Sequence, residues 1–150
     1  MKKVFSILIF LIFSMKVFSQ TKEKINILGY NHVSLQVRNL ERSLKFYKEI
    51  VGLEQLPRPN FATKGAWLRV PHEAEELHLI EGKKDSVISD MKGATTHFSW
   101  EIPSVDIAET YLKTKNVIIH KQSRVDGVIQ LYMLDPDGYL IELTQYPKKK

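Results

Sequence analysis

The chain contains an internal repeat, and this repeat restricts the fold more than any other feature of the sequence. Residues 32–41 align with residues 97–106 at an offset of 65, and the residue types agree at nearly every position. Further along, residues 77–79 align with residues 141–143 at an offset of 64. Two nearly equal offsets indicate two copies of one supersecondary unit, which bury their apolar faces together. We therefore expect two similar modules within one domain.

Each module follows the same order of elements. An alternating strand comes first, then a cap residue (Asn39 or Ser104), then apolar residues at helical spacing, and then further strands. Asp135–Gly138 is a strong turn signal between the last two strands. This order predicts an α+β domain. Its expected bounds are residues 28–146, with module 1 at about 28–82, a charged linker at 83–93 and module 2 at about 94–146.

Strand parity separates polar from apolar residues, because successive side chains of a strand point to opposite faces. The first strand of each module has a polar face, formed by His32, Ser34 and Gln36 in module 1 and by His97, Ser99 and Glu101 in module 2. In the later strands, His78 and Glu142 lie opposite apolar rows. These polar rows are therefore unsuited to the core.

Four metal-capable side chains occupy the polar faces at matching positions of the two modules: His32, His78, His97 and Glu142. A curved sheet with its helices outside would direct all four into one cavity. Three imidazoles and one carboxylate suit a single divalent ion such as zinc, nickel, iron, cobalt or manganese. His72 and His120 have no counterpart in the other module, so we expect neither to bind the ion.

The first 19 residues have the character of a secretory signal. Lys2 and Lys3 precede an apolar run from Val4 to Phe13, and Val17–Ser19 resembles a cleavage site. The apolar run is shorter than a typical membrane span. We expect a signal peptide at residues 1–19, a periplasmic or extracellular mature protein, and no membrane association after cleavage. An uncleaved anchor is the alternative.

Charge and cysteine content exclude several kinds of chemistry. The formal net charge is +5, but the first 19 residues contribute three lysines and no acid, which leaves +2 for the remaining chain. The basic residues form no stripe interleaved with aromatic side chains, so nucleic acid is not an expected partner. The chain contains no cysteine, which rules out disulfides and thiol catalysis.

Residues His32–Val37, Leu40–Tyr47 and Val51–Leu53 resemble the opening of the vicinal oxygen chelate superfamily, and Asp135–Leu143 resembles its ending. With the strand of His97, the resemblance covers about residues 28–146. It implies paired βαβββ modules that form a curved mixed sheet around a metal, which chelates vicinal oxygen atoms of the substrate. Members include glyoxalase I, methylmalonyl-CoA epimerase, fosfomycin-modifying thiol transferases, extradiol dioxygenases and metal-free bleomycin-binding proteins.

The residues at the four ligand positions favour some of these members over others. All four positions of the glyoxalase and epimerase pattern hold metal-competent residues here, which disfavours the metal-free binders. The four residues fit thiol transferases and dioxygenases less well, because the metal sites of those enzymes resemble three-ligand arrangements of two histidines and one carboxylate. His78 stands where a bacterial glyoxalase I more often has glutamate, so a glutathione hemithioacetal is a less suitable substrate, and export disfavours it further.

The resemblance therefore implies a secreted, metal-dependent lyase or isomerase. It would act on a small oxygen-rich substrate through a metal-chelated enediolate, with Glu142 as the base and the three histidines as ligands only. An extradiol-type dioxygenase and a non-catalytic small-molecule binding or resistance protein are the alternatives, and an ion that only joins the modules is a third.

The expected partner is a small molecule, and several polar side chains are candidate contacts for it. The candidates, chosen for their place on a polar strand face or for their charge, are Gln36, Arg69, Ser99, Glu101, Arg124, Gln130 and Tyr132. In the superfamily that the chain resembles, the two modules of one site come from one chain or from two. A homodimer is therefore a further expectation.

Overall fold

The computed structural model describes residues 25, 27–82, 85, 89–91 and 96–148. The expected signal peptide at residues 1–19 lies outside this part of the chain, as does most of the expected linker. The described linker residues, 85 and 89–91, belong to no helix or strand. No helix among the described residues has the length and apolar character needed to cross a membrane.

The two modules have the same order of elements. Module 1 contains β1 (His32–Val37), α1 (Leu40–Lys45), a π-helical segment (Phe46–Val51), β2 (Glu54–Leu56), β3 (Gly65–Arg69) and β4 (Glu76–Glu81). Module 2 contains β5 (His97–Glu101), α2 (Val105–Thr114), β6 (Ile119–Ser123), β7 (Ile129–Leu134) and β8 (Leu140–Gln145). Both are βαβββ units, so the α+β prediction is confirmed.

Each module forms one four-stranded mixed sheet, with strand orders β1-β4-β3-β2 and β5-β8-β7-β6. The first strand of each module is an edge strand that pairs in parallel with the last, and the other pairs are antiparallel. In module 1, Ser34 lies beside His78. In module 2, Ser99 lies beside Glu142. The repeat of the sequence is therefore a repeat of strand register.

The predicted caps begin both helices. The side chain of Asn39 accepts a hydrogen bond from the backbone N–H of Arg42, and Ser104 accepts one from that of Ile107. These bonds satisfy amide groups that have no partner inside a helix. After α1 the chain widens into the π-helical segment, which ends at Gly52 with a φ of 90°.

The apolar strand faces and the helices of both modules share one core, and the polar faces lie on the other side of each sheet. His32, Gln36 and His97 are exposed. The buried members of the core are Leu35, Val37, Tyr47, Leu53, Leu68, Leu77 and Leu79 in module 1, and Val105, Leu112, Leu131, Met133, Ile141 and Leu143 in module 2.

The turn between β7 and β8 joins module 2 to module 1. Asp137, which is fully buried, accepts hydrogen bonds from the Ser43 hydroxyl at 2.8 Å and from Arg38 and Arg42. Asp135 accepts one from the Tyr47 hydroxyl, also at 2.8 Å. The predicted turn is therefore also an inter-module joint.

Candidate metal centre

The metal-capable residues of module 1 form a stacked pair. The rings of His32 and His78 lie with centroids 4.1 Å apart and nearly parallel planes. Trp67, which pairs with His78 across β3 and β4, stacks on the other side of His78 at 4.6 Å. His32 Nδ1 lies 2.6 Å from the side-chain oxygen of Asn31, and His78 Nε2 lies 2.7 Å from Glu76 Oε2. Stacking and hydrogen bonds thus fix both rings.

The metal-capable residues of module 2 are in direct contact. His97 Nε2 lies 3.1 Å from Glu142 Oε2. The ring of Tyr132, which pairs with Glu142 across β7 and β8, meets the His97 ring edge to face at 6.0 Å. The two modules therefore carry equivalent pairs, one of two imidazoles and one of an imidazole and a carboxylate.

Hydrogen bonds hold the carboxylate of Glu142, whose exposed fraction is only 6 %. Burial by itself disfavours the ionised form, but hydrogen bonds from Thr144, Tyr132 and Gln130, together with the charge of His97, outweigh it and keep the pKa of Glu142 below its ordinary value. Burial and the same hydrogen bond to Glu142 raise the pKa of Tyr132 to about 12. Glu142 is accordingly a carboxylate at neutral pH, and Tyr132 is a donor to it.

Both pairs consist of donor types that bind divalent ions, and the spacing of the pair in module 2 also fits one. Imidazole nitrogen and carboxylate oxygen are ligands of zinc, manganese and similar ions. Two donors that bind one ion at about 2.1 Å and at a right angle lie roughly 3 Å apart. The observed 3.1 Å between His97 Nε2 and Glu142 Oε2 matches this spacing.

A single chain does not bring the two pairs together. In the part of the chain that the structure describes, no three histidine, cysteine, aspartate or glutamate side chains are grouped to hold one ion. The sequence left open whether one chain or two would form the cavity for all four side chains, and this shared site stays a prediction.

A cavity of ≈ 320 Å³ opens between the modules. Its polar lining consists of Tyr30, Arg69, Glu75, Glu76, His97 and Ser99. An adjoining cavity of ≈ 360 Å³ shares Tyr30 and Ser99 and adds Glu73 and Glu101. Both volumes suit a small ligand.

The candidate substrate contacts divide into two groups. Arg69, Ser99 and Glu101 line the cavities, although Arg69 also lies 3.6 Å from Glu54. The remaining candidates are placed otherwise: Gln130 and Tyr132 are buried against Glu142, Arg124 pairs with Asp126 on the surface, and Gln36 is exposed on the polar face of β1. Gln130 and Tyr132 thus support Glu142.

The sequence interpretation overlooked three residues of these polar faces and named a fourth, His120, only as a residue that does not bind the ion. Glu76 and Thr144 stand two residues from His78 and Glu142, and each bonds to that neighbour. Gln122 donates to both Gln130 and Tyr132, and His120 pairs with Tyr132 across β6 and β7. Strand parity alone would have indicated Glu76 and Thr144.

Paired βαβββ modules with matching metal-capable pairs on their polar faces define a two-module protein of the vicinal oxygen chelate class. The chain belongs to the Glyoxalase/Bleomycin resistance protein/Dioxygenase superfamily, whose sequence pattern matches residues 29–143. This assignment confirms the resemblance drawn from the sequence motifs.

Similarities to individual proteins are consistent with this family assignment. The chain is 28% identical over 128 residues to Glyoxylase I 4 of Arabidopsis thaliana, covering 79% of this chain and 71% of that protein. It matches a glyoxalase family protein from Bacillus anthracis with a TM-score of 0.70 at 22% identity, covering 83% of this chain and 100% of the other.

A third relative was solved with a metal. FosX, a fosfomycin resistance protein from Listeria monocytogenes, matches with a TM-score of 0.63 at 22% identity, covering 79% of this chain and 92% of the other. Its structure contains Mn(II) and 1S,2S-dihydroxypropylphosphonic acid. At this identity the likeness establishes the fold.

Proposed function

We propose that the protein is a divalent-metal-dependent isomerase or lyase, and that two chains share each metal site. In this proposal, His32 and His78 of one chain meet His97 and Glu142 of a second copy. One observation carries it: the two pairs occupy equivalent register positions on separate sheets and, within the described residues, do not meet in one chain.

The edge strands support this arrangement. β1 and β5, which carry His32 and His97, are both edge strands, and their polar faces are exposed. In a twofold dimer, module 1 of each chain faces module 2 of the other, so both copies of the site form at once. Each site then holds three imidazoles and one carboxylate.

Glu142 is the proposed proton acceptor. Its ionised carboxylate takes a proton from a carbon next to a carbonyl group and returns it to the neighbouring carbon. Thr144, Tyr132 and Gln130 hold the carboxylate, and the three imidazoles are assigned to metal binding only. When bound, a divalent ion supplies Lewis-acid polarisation of the substrate oxygens.

The substrate class follows from the cavities beside the site. Their linings include the carboxylates of Glu75 and Glu101 and the hydroxyls of Ser99 and Tyr30. These groups accept hydrogen bonds from hydroxyl groups, and we accordingly propose a small hydroxylated carbonyl compound as substrate.

Complementation between two variants tests the shared site. One variant carries His32→Ala and His78→Ala, and the other carries His97→Ala and Glu142→Ala. Each alone should bind no stoichiometric zinc. Refolded together in equal amounts, they should recover about a quarter of the zinc content of the wild type, because half of the dimers contain one intact site of two.

The same preparations test the reaction. The wild type and the mixture should catalyse deuterium exchange at the carbon next to the carbonyl of an α-hydroxy ketone, and neither variant alone should. A mixture that recovers no zinc would contradict the shared site. A wild type that binds no stoichiometric metal would overturn the metal site itself, and oxygen uptake with catechols by the ferrous protein would replace the isomerase with a dioxygenase.

A further inference from the structure

Glu76 lies at one end of the polar face of module 1. It opens β4 and lies in register with His32 on β1 and with Arg69 on β3. It shares this face with His78, two residues further along β4, because alternate residues of a strand point the same way. Its half-buried side chain also lines the cavity between the modules, as does His97.

The carboxylate of Glu76 makes a close contact with one atom of His78. Glu76 Oε2 lies 2.7 Å from His78 Nε2. An ionised carboxylate only accepts hydrogen bonds, so the imidazole nitrogen must carry the proton. In the neutral ring the other nitrogen, Nδ1, then holds the lone pair that an ion requires.

Glu76 is one of the positions at which the two modules differ. At the offset that relates His78 to Glu142, its counterpart is Leu140, which is buried in module 2. Module 2 has its carboxylate at position 142 itself, whereas module 1 has a histidine at the equivalent position and a carboxylate two residues earlier on the same face. The carboxylate of module 1 therefore stands beside a proposed ligand, His78, with which it shares a hydrogen bond.

We propose that Glu76 is a positioning residue for His78. It fixes the ring and keeps the proton on Nε2, so that Nδ1 is the atom available to the ion. Carboxylates that hold a ligating histidine in this way strengthen metal binding, and their loss lowers affinity by about 10- to 100-fold. The inference rests on the proposed metal site, because it assigns His78 the role of ligand.

Nitrogen-15 NMR of the imidazole rings tests the assignment without any metal. In the metal-free wild type at pH 8, the His78 ring should show a protonated Nε2 and an unprotonated Nδ1. Glu76→Ala should remove this preference, and Glu76→Gln should restore it, since the side-chain carbonyl of glutamine still accepts the hydrogen bond. Glu49→Ala is the matched control, because Glu49 is an exposed glutamate of module 1 outside the site.

Zinc titration of the same four proteins gives the second readout. Glu76→Ala should bind zinc about 10- to 100-fold more weakly than the wild type. Glu76→Gln should lie between them, and Glu49→Ala should match the wild type. Circular dichroism establishes that each variant is folded.

The outcomes separate this inference from the proposed function. A wild-type His78 ring that carries its proton on Nδ1 would overturn the positioning role, and so would a folded Glu76→Ala protein with unchanged zinc affinity. If the ring has its proton on Nε2 but the wild type binds no zinc, the proposed function fails while the hydrogen bond stands.

Discussion

Asp137 shows how one side chain links the two modules. The residue is fully buried and receives hydrogen bonds from Ser43 and from the backbone and guanidinium of Arg38. Burial alone disfavours its charge, but these bonds and the positive charge of Arg42 outweigh it and hold the pKa of Asp137 below its ordinary value. The carboxylate therefore stabilises the folded state as an anion.

Replacing this carboxylate should make the protein less stable in a pH-dependent way. We expect Asp137→Asn to lower the free energy of unfolding by about 2 kcal/mol at pH 7, because hydrogen bonds to a buried charge are lost. A lowered folded-state pKa stabilises the fold above the ordinary aspartate value and ceases to do so as pH falls through the folded value. The difference in the free energy of unfolding between wild type and variant should therefore become smaller below about pH 4.

Urea denaturation between pH 7 and pH 3 measures this gap. Asp126→Asn is the control, because Asp126 forms a surface ion pair with Arg124 and its loss should cost less than about 0.5 kcal/mol. A gap that stays constant across the pH range would show that the charge of Asp137 is not what stabilises the fold.

For a single residue, the sequence predicts the strand face on which the side chain lies better than it predicts the contacts of that side chain. Alternation along a strand placed His32, Ser99 and Glu142 on polar faces, because alternation is a property of one strand. The contact of Asp137 with Ser43 spans 94 residues, and the turn motif around Asp137 gave no sign of it. Long-range partners depend on how elements pack, which local patterns do not encode.

Among the elements, β3 depends on the absence of a side chain at its first residue. A Cβ atom at Gly65 would lie 2.5 Å from the backbone oxygen of Leu79, on the neighbouring strand β4. The backbone of a paired strand has little freedom to move away. The close approach at Gly65 thus fixes the spacing of the strands that carry Trp67 and His78.

Gly65→Ala should therefore destabilise the protein. We expect the free energy of unfolding to fall by about 1–3 kcal/mol, as is usual for overpacking. Gly29→Ala is the matched control, since a Cβ atom there would meet nothing within 4 Å. Thermal unfolding of both variants measures the effect, and equal stability of the two would contradict the steric explanation.

The first helix shows what apolar spacing does not reveal. Leu40, Leu44, Tyr47 and Val51 predict one continuous helix, whereas the chain is α-helical only to Lys45 and π-helical from Phe46. Both helix types keep these side chains close to one face, so the periodicity does not distinguish them. The caps were predictable because a cap side chain bonds to amides only a few residues away.

For the whole molecule, the repeat predicted two similar modules, each with a strand, a helix and further strands, and the family resemblance implied the order βαβββ. It left open whether one chain or two would bring the four metal-capable side chains together. The parity of a strand determines which residues share a face, but not which surface lies opposite that face. The surface opposite a polar face depends on how the two modules pack together. In our proposal it also depends on a second chain.

Metal should stabilise the assembled protein. A ligand that binds only the folded state at 100 times its Kd adds about 2.7 kcal/mol of stability. We expect zinc to raise the Tm of the wild type and leave that of the His32→Ala, His78→Ala variant unchanged. Calorimetry with zinc and with a chelator measures the difference, and an equal response of the two proteins would contradict the assigned ligands.

The joint between the modules also has a consequence for biosynthesis. Arg38 and Tyr47 obtain their acceptors from residues 99 and 88 positions later in the chain. A nascent polypeptide that has not yet reached Asp135 therefore has an amino-terminal unit whose tyrosine hydroxyl and arginine lack these partners. Contacts of such long sequence separation form late and slow folding. The first unit to leave the ribosome is completed by one of the last turns to be synthesised.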